Sequence, residues 1–197
     1  MLADLAPGDP LVDLHQVHGG DVVVVRGFDD VPTEPPDADA AVTDHAGITL
    51  HVRAADCVPL LLVADDGRVI GAAHCGRPGL TAGVVPATVA AMRALGAERV
   101  EAWIGPHVCG HCYEVPDTMR DEVAAAVPAS RAVTSWGTPA LDIGAGVRAQ
   151  LLAEDVEVTE VGGCTRESPD LHSYRRDGGE AGRLAGLVRI RPWDGAA

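Results

Sequence analysis

The chain has 197 residues and a mass of 20.3 kDa, which suits one globular domain. Its 15 basic residues, all arginine, against 29 acidic residues leave a formal net charge of −14. This balance argues against a partner such as nucleic acid, because proteins that coat polyanions present a basic face. The absence of lysine also excludes Schiff-base chemistry and a phosphate-loop lysine, although an arginine pocket for one small phosphate is compatible with the composition.

The elements predicted in chain order alternate between strands and helices. Strands are predicted within 11–25 (broken at Gly19-Gly20) and over 48–53, 59–64, 69–73, 100–104 and 156–161. Helices are predicted over 79–95, 116–127 and 142–152, and a proline-rich loop over 29–39. The turn signal Asp65-Asp66-Gly67 makes the strands on either side of it a hairpin. We therefore expect a single α/β or α+β domain, a layered sandwich of mixed sheets with hairpins and flanking helices.

No stretch of the sequence indicates a membrane partner. The longest apolar runs, such as 58–64, are far shorter than the ~20 residues that a membrane-spanning helix needs. The first residues also lack the basic and apolar regions of a secretory signal. Five cysteines, an odd number, then indicate free thiols in a cytoplasmic protein.

Three short segments carry residues that bind metals, each close to the end of a predicted strand. They are Gln16-Val17-His18-Gly19, Arg53-Ala54-Ala55-Asp56-Cys57 and Ala73-His74-Cys75-Gly76. Cys57 and His74 flank the predicted hairpin, so both side chains can reach one point. A Cys-His-His set suits Zn²⁺ and leaves a fourth position open, as in catalytic sites. The alternative stays open, because a lone cysteine at a strand end is usually a small buried apolar residue.

A second cysteine motif, Cys109-Gly110-His111-Cys112, matches the active site of a disulfide isomerase. A thioredoxin-like site needs a helix that starts at the motif, and Pro116 delays the next helix here. We therefore expect no redox catalysis. The remaining alternative is adventitious chelation by the four side chains His107, Cys109, His111 and Cys112.

Five motifs in order resemble the family first described as multicopper polyphenol oxidases or laccase-domain proteins, whose members are now regarded as purine nucleoside phosphorylases. The motifs are Gln16-Val17-His18-Gly19, Ala55-Asp56-Cys57-Val58-Pro59, His74-Cys75-Gly76, Ile104-Gly105-Pro106 with Cys112-Tyr113-Glu114-Val115, and Cys164-Thr165 with His172-Ser173-Tyr174-Arg175-Arg176-Asp177 and Gly182-Arg183. The resemblance implies that His18, Cys57 and His74 hold a catalytic Zn²⁺, with Cu²⁺ as the alternative ion.

The sequence departs from the family pattern in two places. Where the family usually has Trp-Arg after the third motif, this chain has Arg77-Pro78. Only fifteen residues precede Gln16, whereas members usually carry some tens, so we expect that the family's N-terminal segment is missing.

The resemblance implies a zinc-dependent purine nucleoside phosphorylase acting on adenosine, inosine or 5′-methylthioadenosine with phosphate, and adenosine deaminase as a second activity. Asp56 is the candidate acid–base residue for deamination. Six residues are candidates for contacts with phosphate or nucleoside: Arg53, Arg77, Gln16, Tyr113, Arg175 and Arg176.

Three rival functions stay open. A copper-dependent polyphenol oxidase needs several coppers, and eight histidines without His-x-His pairs do not easily supply their ligands. The others are a cytoplasmic hydrolase that edits peptidoglycan precursors and a non-catalytic zinc-bearing interaction domain. We expect a monomer or a homodimer.

Overall fold

The computed structural model of this chain describes residues 8–191, apart from the side chain of Asp66. The strands are β1 Leu11–Val12, β2 Val22–Val25, β3 Ala40–Thr43, β4 Thr49–Ala54, β5 Val58–Ala64, β6 Val69–Cys75, β7 Val100–Ile104, β8 Arg131–Val133, β9 Pro139–Leu141, β10 Glu157–Glu160 and β11 Leu184–Arg189. The α-helices are α1 Arg77–Ala82, α2 Val84–Ala94, α3 Asp117–Ala126, α4 Ile143–Ala153 and α5 Tyr174–Asp177. Short 3₁₀ turns lie at Phe28–Asp30, Asp65–Gly67, Pro128–Ser130 and Gly178–Glu180.

The strands form three sheets around a mixed six-stranded sheet of order β10-β7-β5-β6-β3-β2. A three-stranded sheet, β1-β4-β11, and the hairpin β8-β9 complete the set. Within the six-stranded sheet only the two edge pairs, β10 with β7 and β2 with β3, are parallel. The predicted mixed sheets with flanking helices are confirmed.

Two apolar cores lie on opposite faces of the six-stranded sheet. On β5, Leu60 and Leu62 join the core formed with the helices, whereas Leu61 and Val63 pack against the second core, which includes Leu50 of β4. This alternation is the period-2 pattern of a strand covered on both faces. Each leucine removed from water in this way contributes about 1.5–3 kcal/mol. The result is the predicted layered sandwich of helices, central sheet and smaller sheet.

The predicted helix over 79–95 is interrupted in the structure. Gly83 has a φ of 80° and caps α1, its N–H donating to the carbonyls of Gly79 and Leu80, and α2 begins at the next residue. Glycine accepts this left-handed conformation without a Cβ penalty, so it can end one helix and start another. Strands β3 and β11, the hairpin β8-β9 and the one-turn helix α5 were not predicted. Short segments such as β3, β8 and β9 depend on pairing rather than on their own pattern.

The predicted hairpin of β5 and β6 is present, and its register positions the candidate site. Pro59 pairs with His74 and Val58 pairs with Cys75, so Cys57 and His74 lie at the same end of the sheet. Strand β3 starts at this end as well, since Ala40 pairs with Ala73, and β2 runs parallel to β3. The loop that enters β2, which contains His18, therefore arrives at the same place. Among the described residues, no helix is long and apolar enough to cross a membrane.

Candidate metal centre and its cleft

The structure brings His18, Cys57 and His74 together. Their ligand atoms all lie within 4.8 Å of one another, and the Cys57 Sγ is 3.7 Å from the His18 Nε2. A tetrahedral zinc with bonds of ~2.3 Å to sulfur and ~2.0–2.1 Å to nitrogen separates those two atoms by roughly 3.6 Å. The donor set and its spacing therefore fit zinc.

The local backbone at this point is unusual. His18 has a φ of 62° and Asp56, next to Cys57, a φ of 82°. Residues other than glycine seldom adopt positive φ angles, which strain the backbone. Backbone strain of this kind is concentrated at functional sites. Gly76 leaves room for the ligands, because a Cβ there would lie 2.5 Å from the His18 Cδ2 and 3.0 Å from the Cys57 Sγ. His18 itself lies in the loop between β1 and β2 rather than at a strand end, and His74 lies within β6.

Asp39 contacts two of the three candidate ligands, and the sequence analysis did not identify it. It is fully buried and precedes β3. Its Oδ1 accepts hydrogen bonds from the His74 Nδ1 at 2.8 Å and the His18 N–H at 3.0 Å, and its Oδ2 accepts from the N–H groups of Val17 and Gly19. With Nδ1 engaged, the Nε2 of His74 is the nitrogen that remains for a metal. The only sequence signal is an acid directly before a short apolar run.

Burial and charge act in opposite directions on the ionisable groups of this centre. Burial would raise the pKa of Asp39, but the hydrogen bonds from His74 and Gly19 outweigh it and hold that pKa below its usual range. Burial would lower the pKa of His74, yet Asp39 and Cys57 raise it to about 9. Burial would raise the pKa of Cys57, and His18 and His74 lower it to about 7. The protein thus stabilises a thiolate here, which is the form that binds metals.

The candidate metal centre opens into a cleft of about 770 Å³. Of the residues predicted to contact substrate or act on it, six line this cleft: Gln16, Arg53, Asp56, Arg77, Tyr113 and Arg175. Arg183 also lines it and was not among the predicted site residues, although it belongs to the last motif. The Gln16 side-chain amide donates a hydrogen bond to the Arg53 carbonyl and accepts one from the Arg53 N–H, each at 2.8 Å. These two hydrogen bonds tie the loop that contains His18 to β4.

The neighbouring arginines 175 and 176 have different surroundings. The Arg175 guanidinium lies over the Tyr113 ring, 4.7 Å from its centroid, and lines the cleft. Arg176 is not among the cleft-lining residues. Its guanidinium donates to the carbonyls of Thr165, Ser168 and Leu171 and pairs with Asp177. The structure therefore brings the first of this predicted pair to the cleft and engages the second in holding a loop together.

Asp56 is buried, and both of its carboxylate oxygens accept hydrogen bonds. The Thr165 hydroxyl donates to Oδ1 and the Arg175 N–H donates to Oδ2, each at 2.6 Å. Asp56 thus connects the cysteine segment to a part of the chain more than a hundred residues away. Its predicted acid–base role stays a prediction.

The second cysteine motif lies in a turn, and no helix starts there, since α3 begins at Asp117. Burial and the neighbouring thiols raise the pKa of Cys112 to about 12, unlike the activated thiol of an oxidoreductase. The group that the fold assembles here is Cys109, Cys112, Cys164 and Glu167. It does not include His107 or His111, the two histidines of the chelating set considered from sequence.

Fold and site together define a class of protein: a layered α/β domain with a Cys-His-His centre at the end of its central hairpin, facing a cleft. Residues 2–191 match the family described as multi-copper polyphenol oxidoreductase laccase, and the chain belongs to that family.

Curated relatives span most of the chain. The chain is 54% identical over 181 residues to purine nucleoside phosphorylase ORF3 of Streptomyces griseus, covering 90% of this chain and 73% of that protein. It is 55% identical over 182 residues to purine nucleoside phosphorylase SCO2081 of Streptomyces coelicolor, with 90% and 74% covered.

Solved structures share the fold. Protein NMB0706 of Neisseria meningitidis, assigned to the family DUF152, superposes with a TM-score of 0.83 at 31% identity over 97% of this chain and 79% of that one. YlmD of Geobacillus stearothermophilus gives a TM-score of 0.83 at 30% identity, with 97% and 78% covered.

Proposed function

We propose that this chain is a zinc-dependent purine nucleoside phosphorylase that uses phosphate to release the base from adenosine, inosine or 5′-methylthioadenosine. The observation that carries the proposal is the meeting of His18, Cys57 and His74 at a cleft lined by four arginines. The names of the two Streptomyces relatives support the same reaction.

The charge of the cleft suits phosphate. Arg53, Arg77, Arg175 and Arg183 all line it, in a protein whose net charge is −14. The one carboxylate in the same lining, that of Asp56, already accepts two hydrogen bonds. Guanidinium groups bind phosphate oxygens with two parallel hydrogen bonds, so a concentration of arginine in an acidic protein indicates an anionic ligand.

The rest of the lining suits a purine base. Val108, Ile143 and the ring of Tyr113 supply apolar surface next to the polar groups. A volume of about 770 Å³ lies within the range of small-molecule sites and accommodates a nucleoside with phosphate. Tyr113 is held under the Arg175 guanidinium, so its ring offers a fixed aromatic surface.

In the proposed reaction a phosphate oxygen bonds to the ribose C1′ while the bond from C1′ to the purine nitrogen breaks. The electron pair leaves with the purine, which takes a proton, and the sugar passes through an oxocarbenium-like transition state. The arginines bind and orient phosphate, and Asp39 fixes the ring of His74. Zinc bound by His18, Cys57 and His74 would supply a Lewis acid that neutralises charge on oxygen. Asp56 keeps Arg175 and Thr165 next to the cysteine segment.

Deamination of adenosine is the second activity that the family resemblance implies, and Asp56 is its candidate acid–base residue. Because both oxygens of Asp56 already accept hydrogen bonds, the geometry supports phosphorolysis better than it supports deamination. Copper remains the alternative ion, since thiolate and imidazole bind it too. Metal analysis of the purified protein decides between the ions.

The test is a phosphate-dependent assay with the zinc-loaded chain and each of the three nucleosides. We expect free base to appear only with phosphate, and Cys57→Ala to abolish its release. Cys75→Ala is the matched control, because this cysteine is buried in β6, outside the ligand set, and should retain activity. Turnover at the wild-type rate in a metal-free sample would contradict the proposal.

The same samples test the rival functions. Ammonia release from adenosine reports deamination, and oxygen uptake with a phenol reports an oxidase. Hydrolysis of a peptidoglycan precursor that carries a wrong amino acid reports the editing activity. Metal bound without turnover of any of these substrates would favour an interaction domain.

A further inference from the structure

A second group of metal-binding side chains lies outside the cleft. Cys109 and Cys112 come from the loop between β7 and α3, and Cys164 and Glu167 come from the loop that follows β10. Their three sulfur atoms and one carboxylate oxygen all lie within 4.8 Å of one another. The proposed phosphorolysis uses none of these four side chains.

We propose that Cys109, Cys112, Cys164 and Glu167 form a second, structural zinc site. Structural zinc sites are tetrahedral with four protein ligands, and thiolate sulfur and carboxylate oxygen are both accepted donors. Zinc–sulfur bonds of ~2.3 Å place tetrahedral sulfur atoms about 3.8 Å apart, so a group confined within 4.8 Å needs only a small contraction around one ion. The two-residue spacing between Cys109 and Cys112 is that of a zinc knuckle.

Backbone hydrogen bonds already direct these side chains toward one another. The N–H groups of Cys112 and Tyr113 both donate to the Cys109 carbonyl, at 2.9 and 3.1 Å, which closes the turn of the motif. The Cys109 N–H donates to the Cys164 sulfur at 3.4 Å. The two loops are also joined by the bridge between His107 and Cys164. A metal ion would therefore enter a site that the fold has already brought together.

The composition of the group favours a metal over a disulfide. A disulfide would use two of the three thiols and leave both the third thiol and the carboxylate without a role. All five cysteines of the chain are free thiols in the structure. Chelation by the nearby histidines is less well supported, because the His107 Nδ1 lies 2.8 Å from the Gly105 carbonyl oxygen and His111 is outside the group.

The position of the site suggests what the ion would stabilise. Tyr113, which lines the cleft, follows Cys112, and Thr165, which donates to Asp56, follows Cys164. An ion shared by the two loops would hold both of these residues in place. The second zinc would thus fix one wall of the cleft without contacting the reacting atoms.

The experiment counts metal in the 197-residue chain after it has been loaded with Zn²⁺ under reducing conditions and freed of excess ion. We expect two equivalents of zinc in the wild type and one in each of Cys57→Ala and Cys164→Ser. His111→Ala should keep two, because this exposed histidine adjoins the cluster but does not belong to it. One equivalent in both the wild type and Cys164→Ser would overturn the proposal. So would a non-reduced mass lower by two hydrogens after purification, which indicates a disulfide.

Cobalt gives a second measurement that does not require Cys164→Ser to fold. In Cys57→Ala, bound Co²⁺ should still show thiolate-to-metal charge-transfer absorption, because the remaining thiolates are those of the cluster. Adding Glu167→Gln to this variant should keep the absorption but weaken cobalt binding at least about tenfold, since loss of even an outer-shell partner costs 10–100-fold. Cobalt bound to Cys57→Ala without this absorption would overturn the proposal.

Discussion

Asp39 and His74 form a buried pair in which the His74 Nδ1 lies 2.8 Å from the Asp39 Oδ1. The same carboxylate accepts hydrogen bonds from the N–H groups of residues 17–19. A single side chain therefore orients two of the three proposed ligands, His18 and His74. Carboxylate–histidine pairs of this kind set the tautomer of a ligand and raise its basicity.

Asp39→Asn should weaken zinc binding by about 10–100-fold, because an amide is a poorer acceptor for the His74 N–H and for the N–H groups around it. Competition with a chromophoric chelator measures the change. Asp37→Asn is the matched control, since Asp37 is exposed and pairs with His15 rather than with a proposed ligand. Equal zinc affinity in Asp39→Asn and the wild type would contradict the assigned role.

In metal-free protein the alkylation rate of Cys57 should rise with pH to a midpoint of about 7. The ordinary midpoint of a thiol is near 8.5. Here hydrogen bonds from His18 and His74 and the positive charge of the His74 imidazolium favour the thiolate, so the thiolate persists at lower pH. Peptide mapping after timed exposure to iodoacetamide measures the rate. Zinc should protect Cys57, and His74→Gln should move the midpoint upward. Cys75, whose pKa burial raises, should stay unmodified; a Cys57 midpoint at or above 8.5 would be inconsistent with the site.

Gly76→Ala should reduce zinc occupancy severely while leaving the fold intact. The backbone of Gly76, with φ −86° and ψ 177°, suits any residue, so the effect comes from the new methyl group, which would displace the His18 ring and the Cys57 sulfur. Metal content and circular dichroism measure the two effects. Gly179→Ala, where a methyl group meets nothing within 4 Å, is the control. Full occupancy in Gly76→Ala would disprove the close approach.

Arg175→Ala should impair catalysis, whereas Arg176→Ala should lower thermal stability. The first removes a charged donor from the cleft and should lower kcat/KM about 10–100-fold with little change in Tm, since a hydrogen bond to a charged group contributes about 1.5–3 kcal/mol. The second removes the guanidinium that donates to the carbonyls of its loop and should lower Tm. Steady-state kinetics and thermal unfolding compare the pair; a reversed pattern would show that Arg176 contacts the substrate.

Asp65 should stabilise the fold in a pH-dependent way. Hydrogen bonds from the N–H groups of Glu98 and Arg99 hold the pKa of Asp65 below its usual range. A carboxyl group whose pKa is lower in the folded state than in the unfolded state stabilises the folded protein. This stabilisation is fully present above the pKa of the unfolded state, ~3.9, and is lost as the pH falls through the pKa of the folded state. Asp65→Asn should thus lower Tm at pH 7, and the difference in Tm should shrink as the pH falls below the unfolded pKa and through the folded one. The exposed Asp44→Asn is the control; a pH-independent difference would contradict the linkage.

Local patterns predicted much of the framework. The helices α3 and α4 begin and end within about two residues of their predicted bounds, because acids and caps mark their first turns, as Asp142 does by accepting the N–H of Ala145. The hairpin of β5 and β6 was predicted from an apolar run and its turn. The break at Gly83 was not, since a glycine within an apolar helical pattern is usually tolerated.

The sequence by itself determined the hairpin and the family resemblance, because turn residues, apolar alternation and ordered motifs are local properties of the chain. Only the tertiary structure decided that Asp39 supports His74, 35 residues away, and that Cys164 joins Cys109, 55 residues away. Those pairings depend on the order of strands in the six-stranded sheet and on how its loops meet. No local preference encodes that order, since it arises from the packing of two cores on opposite faces of one sheet.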